Sequence, residues 1–195
     1  MVVKKAGIYQ QGTHGSGDAV KYAAFLRGIN VGGKKIIKME ELNSIFRSAG
    51  FTDVKTLIQS GNVVFSSEIS DTSSARSEIE AVLFRSLGYT VETFLLAFED
   101  LVRILRSEPF KGILKTSTVK FYISLLSDLP VINLKLPHFS PKKDLELIGI
   151  DGSNAYILSH EVNGRFGFPN SFMEEITGLK ATTRNWNTIE KLANI

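Results

Sequence analysis

The chain has 195 residues, of which 43% are hydrophobic and 22% charged, as in an ordinary globular protein with room for one large domain or two small ones. It contains no cysteine, which excludes disulfides, thiolate metal sites and cysteine nucleophiles, and we expect it to be cytoplasmic. The formal net charge of +3 permits nucleic-acid binding without demanding it. No apolar run approaches the length of a membrane span, so we expect no membrane partner.

The first residues lack the apolar segment of a signal peptide. Small and polar residues dominate positions 10–18, so we predict that residues 1–19 form a flexible extension or a cloning remnant. A strand over residues 6–9 is the alternative.

Residues 20–97 are predicted to form a ferredoxin-like domain. Short apolar or β-branched runs predict strands at residues 21–26, 54–58, 63–65 and 90–96. Apolar residues at helical spacing predict one helix from Met39 to Gly50 and another from Asp71 to Gly88. The resulting order, β-α-β-β-α-β, is that of the split ferredoxin-like unit.

Residues 98–195 are predicted to form a second, smaller α+β domain, so the whole chain is assigned to the α+β class. The pattern predicts a helix at residues 98–106, a strand at 118–126 and a hairpin built from 145–150 and 155–158. Residues 130–141 are predicted as a loop. A short helix capped by Asn170, an extended segment at 181–183 and a helix anchored by Trp186 complete the domain.

The loop after the first strand is the most informative stretch. Its glycines let the backbone approach a ligand, and its lysines supply positive charge, so it is suited to hold an anion. A helical crossover makes strands one and two parallel, which brings this loop beside the turn at residues 59–62. We predict that the two segments form one ligand-binding site, made of Arg27, Asn30, Gly32, Gly33, Lys34, Lys35, Gln59, Ser60 and Asn62.

A structural interpretation of these two segments stays open. The glycines then serve only a tight loop, the lysines are a solvated surface, and residues 59–62 are ordinary turn chemistry. The pattern is neither a P-loop nor a dinucleotide-binding fingerprint.

A third polar cluster, Thr182, Thr183, Arg184 and Asn185, is predicted as a further part of the site. Asn185 or Thr183 is suited to cap the last helix. An arginine beside a helix N-terminus opposes the positive end of the helix dipole, so Arg184 should face an anion or a carboxylate. An internal ion pair or an inter-domain contact is the rival explanation.

The residues that usually carry catalysis are scattered. None of the three histidines has metal-ligand spacing, and no pair of carboxylates stands out as an acid–base couple. We therefore expect no metal and no cofactor, and the sequence leaves catalysis undecided.

Three motifs in this order resemble the DUF1697 family, a bacterial family of unknown function. They are Phe-Leu-Arg-Gly-Ile-Asn-Val-Gly-Gly at residues 25–33, Ile-Gln-Ser-Gly-Asn-Val-Val-Phe at 58–65 and Ala-Thr-Thr-Arg-Asn-Trp-Asn-Thr at 181–188. The resemblance implies an α+β fold with ferredoxin-like elements and no established activity, so it assigns no catalytic residue. Many relatives carry a Ser-Lys-Leu-like element where residues 164–170 read Gly-Arg-Phe-Gly-Phe-Pro-Asn. If that lysine binds a ligand, Arg165 replaces it here or the site differs.

Three hypotheses follow for the function. The leading one is binding of a phosphate-bearing ligand, either a phosphorylated small molecule such as a nucleotide or a nucleic acid. The second is an enzyme acting on a phosphorylated small molecule, with Glu40, Asp53 or a water as acid or base. The third is a non-catalytic interaction module in which the motifs hold the two domains together.

Overall fold

The computed structural model describes residues 19–31, 33 and 35–195. The predicted extension, apart from its last residue, lies outside the described residues, as do Gly32 and Lys34. The described chain mixes helices and strands and confirms the α+β class. It divides into two compact units, which are called the N-terminal unit (residues 19–106 with Lys191–Ile195) and the C-terminal unit (Ser107–Glu190). None of the described helices is long and apolar enough to cross a membrane.

The N-terminal unit is a four-stranded antiparallel sheet with three helices. Its strands are β1 (Val20–Leu26), β2 (Thr52–Leu57), β3 (Asn62–Ser67) and β4 (Thr93–Ala97). Its helices are α1 (Met39–Ser48), α2 (Thr72–Leu87) and α3 (Phe98–Arg106). The strands are ordered β2-β3-β1-β4, and the elements up to β4 follow the predicted order along the chain. Because α3 contacts β1 and β4, it groups with this unit; the predicted domain division after residue 97 stays a prediction.

The core of this unit forms where helices α1 and α2 pack against the sheet. Tyr22 of β1 stacks on Phe65 of β3 at 5.6 Å between ring centroids, and Phe46 of α1 packs edge-on against Phe65 at 5.3 Å. Helix α2 begins at the predicted cap, where the Asp71 carboxylate accepts a hydrogen bond from the Ser74 N–H at 2.7 Å. It ends at Gly88 with φ of 75°.

The C-terminal unit is built on a second antiparallel sheet. Its strands are β5 (Val119–Leu126), β6 (His138–Phe139), β7 (Leu145–Asp151), β8 (Asn154–Val162), β9 (Arg165–Phe166) and β10 (Ala181–Asn185). Helix α4 (Pro169–Thr177) precedes β10, and α5 (Trp186–Leu192) follows it. The strands are ordered β10-β5-β8-β7-β6, and β9 pairs with β8.

Several boundaries differ from the predicted ones. Strand β6 lies inside the predicted loop at residues 130–141, because its two residues pair with β7 and are too few to give a sequence pattern. Helix α4 begins at Pro169, so Asn170 is not its cap; the Asn170 side-chain amide donates to the Ala181 carbonyl at 3.0 Å instead. Ile58 lies beyond the end of β2 with φ of 50°, outside the usual range of strand residues.

Candidate functional site

The loop after β1 and the turn after β2 are in direct contact, as the topology predicts. Strands β1 and β2 both run antiparallel to β3, so they are parallel to each other and end at the same edge of the sheet. The Leu26 N–H donates to the Gly61 carbonyl at 2.8 Å. The Asn30 side chain donates to the Gln59 carbonyl at 2.7 Å. These hydrogen bonds join the two segments within the N-terminal unit.

Gly61 is the closest point of approach between the two segments. A Cβ atom added at this glycine would lie 2.5 Å from Cδ1 of Ile29 and 3.0 Å from Cβ of Leu26. Its φ of 72° is also in the left-handed region that favours glycine. The turn therefore reaches the loop only because position 61 has no side chain.

The side chain of Asn30 holds the loop in its observed shape. Both amide N–H groups are donated, one to the Ile37 carbonyl at 3.1 Å and the other to the Gln59 carbonyl. Its Oδ1 accepts a hydrogen bond from the Ile37 N–H at 2.8 Å. The backbone φ of 55° suits asparagine, which tolerates the left-handed region. The Asn30 amide is thus used by the protein itself, and its predicted role in orienting a ligand stays a prediction.

Two of the predicted cations fix the loop to the connection between α2 and β4. The Arg27 guanidinium pairs with the Glu92 carboxylate at 3.0 Å, and both side chains are half-buried. The Lys35 ammonium donates to the Thr90 carbonyl at 3.2 Å and lies 5.0 Å from the centroid of the Tyr89 ring. Lys35 nevertheless keeps an exposed side chain.

The turn is stabilised by its own asparagine. Asn62 is fully buried, and its side-chain amide donates to the Leu57 carbonyl at 3.1 Å and to the Ser60 hydroxyl oxygen at 2.9 Å. Gln59 is exposed at the tip of the turn. Of the predicted turn residues, Gln59 is therefore the one that faces solvent most openly.

Three exposed aliphatic side chains were missed by sequence reasoning. Val31 and Ile36 of the loop are 67% and 72% exposed, and Ile58 of the turn is 48% exposed. The sequence contains an indication of two of them, because Val31 and Ile36 flank the glycines and lysines of the loop without fitting any helical or strand pattern.

The third predicted segment is strand β10 of the C-terminal unit, where internal hydrogen bonds account for its polar side chains. The Thr183 hydroxyl bonds the Ser124 hydroxyl at 2.6 Å and donates to Oδ1 of Asn170 at 3.0 Å. Oδ1 of Asn185 accepts from the N–H of Asn187 at 3.0 Å, at the start of α5.

Arg184 lies on this strand and is buried. Its Nη1 donates to the Thr182 hydroxyl and to the Thr183 carbonyl, each at 2.9 Å. Burial lowers the pKa of the Arg184 guanidinium to about 10, which leaves the side chain charged at neutral pH. The segment therefore has a structural role within the sheet, and its predicted part in ligand binding stays a prediction.

Replacing Thr183 with valine is expected to lower the free energy of unfolding by about 1–3 kcal/mol. Valine keeps the shape of threonine but deprives the buried Ser124 hydroxyl of its partner. Urea denaturation measures the loss. The control is Thr116→Val, which removes an exposed hydroxyl bonded to Thr118 and should cost less than about 0.5 kcal/mol. Equal losses in both variants would contradict the structural role of Thr183.

The described residues contain no group of three His, Asp or Glu side chains arranged to hold a metal ion. His160 and Glu146 form a cross-strand pair with Nε2 and Oε2 2.7 Å apart. Asp53, one of the two carboxylates considered for catalysis, accepts a hydrogen bond from the Ser66 hydroxyl at 3.1 Å. Glu40 lies in the first turn of α1, where a carboxylate stabilises the helix dipole.

The fold and the loop–turn contact define an α+β protein with a cationic glycine loop at one edge of its first sheet. The family model described as "Protein of unknown function (DUF1697)" matches residues 20–156, and the chain belongs to this family. A solved structure with a similar fold is that of the conserved bacterial protein SP0830 from Streptococcus pneumoniae, with a TM-score of 0.61 and 20% sequence identity. The alignment covers 91% of this chain and 98% of that chain. Comparison with curated proteins finds no match.

Proposed function

We propose that this protein binds a phosphate-bearing ligand, a nucleotide or a nucleic acid, on the surface formed by residues 27–31, 33, 35–38 and 58–61, here called the loop–turn surface. The supporting observation is the exposure of Lys35 and Lys38 in a loop that contains no acidic residue. Gly33, which precedes the lysines of the loop and is exposed itself, adds accessible backbone.

The backbone of the loop supports the same proposal. Gly28, Asn30, Gly33 and Lys35 all have φ between 49° and 72°. Turns that contain left-handed residues direct backbone N–H groups into concavities that favour anions. Positive side chains beside such N–H groups add attraction for phosphate oxygens.

The arrangement favours recognition by charge over recognition by directed side-chain hydrogen bonds. Asn30 and Asn62 use their amides within the protein, and Arg27 is paired with Glu92. We therefore propose binding to phosphate groups and assign no reaction to the surface.

Binding should weaken steeply as salt concentration rises, because each lysine–phosphate contact releases counterions. Fluorescence anisotropy with a short labelled DNA duplex and with a labelled adenine nucleotide measures this dependence. In the variant Lys35→Gln/Lys38→Gln, the slope of log affinity against log salt for the duplex should fall by about 0.9 for each phosphate contact removed.

The matched control is Lys142→Gln, which removes an exposed lysine from the C-terminal unit. It should leave the affinity and the salt slope unchanged. The proposal fails if neither probe shows salt-dependent binding, or if Lys142→Gln weakens binding as much as the loop variant does.

A further inference from the structure

The segment before β6 in the C-terminal unit has the form of a β-strand without a partner. Residues 129–135 run without a helix, a turn or a bend. Every second residue of this run is half-buried, namely Pro130, Ile132 and Leu134. The residues between them are exposed, and Val131 is exposed completely. A burial period of two is that of an extended strand, in which successive side chains point to opposite faces. We call residues 129–135 the unpaired strand.

The backbone of the unpaired strand is available to another chain. None of the described residues forms a hydrogen bond with an N–H or C=O group of residues 130–135. The unpaired strand is followed by β6, which is the edge strand of the second sheet. A row of unpaired N–H and C=O groups at a sheet edge is a template for pairing with a further strand.

The two edges of the unpaired strand are not equivalent. In an extended strand the backbone groups of alternate residues point to the same edge. The edge that includes Pro130 is incomplete, because proline has no N–H to donate. The other edge keeps the N–H groups of Val131, Asn133 and Lys135, which none of the described residues accepts. A partner strand is therefore expected on this second edge.

Charge and shape favour a second copy of the same strand as the partner. Asp128 precedes the run and Lys135 ends it, and both are exposed. Antiparallel pairing of two copies brings Asp128 of one copy to the end of the run where Lys135 of the other copy lies. A register centred on Ile132 pairs the whole run. It sets Ile132 opposite Ile132 and Pro130 opposite Leu134, so apolar residues share one face and lysine never faces lysine.

We propose that this chain forms a two-fold symmetric dimer in which the unpaired strands of two copies pair in antiparallel orientation. Val131 of each copy exchanges backbone hydrogen bonds with Asn133 of the other, and opposite charges meet at both ends of the run. One short pair of strands buries less surface than an obligate interface does, so dimer and monomer should be in equilibrium. The proposed dimer does not involve the loop–turn surface.

Sedimentation velocity over a range of protein concentrations tests the dimer. Wild type should change from monomer to dimer as the concentration rises. Val131→Pro removes an N–H from the pairing edge, so the dissociation constant should rise at least about tenfold. The monomer should melt as wild type does, because Val131 is fully exposed and none of the described residues accepts its N–H. The matched control is Val131→Thr, which keeps the N–H and a β-branched side chain and should dimerise as wild type does.

An exchange of charges tests the antiparallel arrangement. Lys135→Glu sets like charges together at both ends of the run and should weaken dimerisation about two- to fivefold. Adding Asp128→Lys to this variant restores a pair of opposite charges and should recover most of the lost affinity. Failure of the second substitution to recover the dimer would overturn the antiparallel register.

Other outcomes decide between a second copy and another partner. A wild-type chain that stays monomeric up to the limit of its solubility would overturn the proposal, and so would a dimer that Val131→Pro leaves unchanged. A synthetic peptide of residues 127–137 should compete with dimerisation. Equal competition by a peptide of the same composition in scrambled order would show an edge open to any extended chain, and would also overturn the proposal. Failure of the proposed phosphate binding would leave each of these results unchanged.

Discussion

Replacement of Gly61 by alanine is expected to lower the free energy of unfolding by about 2–4 kcal/mol. Two effects add. The left-handed φ of 72° disfavours any Cβ atom, and the added Cβ would lie 2.5 Å from Cδ1 of Ile29. Ile29 is only 2% exposed, so it has little room to move away. Chemical denaturation followed by circular dichroism measures the loss.

Gly28→Ala is the matched control for this prediction. Gly28 has the same φ of 72°, but an added Cβ would meet no atom within 4 Å. Its replacement should therefore lower the free energy of unfolding only through the unfavourable backbone conformation of alanine, by about 1 kcal/mol. Equal losses for the two variants would show that the close approach of turn and loop contributes nothing.

The second large effect is expected for Asn30→Ala, which should lower the free energy of unfolding by about 2–4 kcal/mol. The change removes three hydrogen bonds to backbone groups of Ile37 and Gln59. It also places alanine at φ of 55°, which asparagine tolerates better. Equilibrium denaturation gives the free energy, and anisotropy with the DNA duplex measures binding by the folded fraction.

Asn30→Asp separates the contributions. Aspartate keeps the acceptor for the Ile37 N–H and tolerates the left-handed backbone, but it loses both donated hydrogen bonds. Its second carboxylate oxygen would face the Ile37 and Gln59 carbonyl oxygens, so we expect a loss at least as large as that of Asn30→Ala. If Asn30→Ala were as stable as wild type but failed to bind the duplex, the side chain would serve the ligand and the structural role would be wrong.

The order of elements in the first unit could be predicted because each element carries its own periodicity. Alternating and continuous apolar runs indicated β1 to β4, and the glycines Gly50 and Gly88 indicated the ends of helices α1 and α2. The contact between the loop and the turn also followed, since parallel strands must end at the same edge of a sheet.

The roles of individual polar side chains could not be predicted in this way. Asn30 and Asn62 hydrogen-bond to backbone carbonyls of residues distant in sequence or across a turn, and no local pattern encodes those partners. Ile58 was predicted as a strand residue because β-branched residues favour strands. Its left-handed backbone results from the turn that follows it, which propensity does not describe.

The polar segment on β10 shows that the burial of a strand could not be predicted from its sequence alone. Its sequence is rich in hydroxyl and amide groups, and we predicted it as a further part of the ligand site, which stays a prediction. In the fold Thr182, Thr183 and Arg184 are all buried. The Thr183 hydroxyl bonds to Ser124 of β5 and Asn170 of α4, while the Thr182 hydroxyl accepts from Arg184 of the same strand. Burial of a polar strand depends on the presence of those partners, and these are supplied by distant parts of the chain.

The hydrogen bonds of Asn30 have a consequence for the entropy of binding. They anchor the loop at Ile37 and at the Gln59 carbonyl, and Lys35 anchors it further at the Thr90 carbonyl. A segment that is ordered before its partner arrives gives up less conformational freedom on association. The loop residues that make these hydrogen bonds are thus held in place, and the proposed ligand would meet a smaller entropic penalty there than at a segment that must first become ordered.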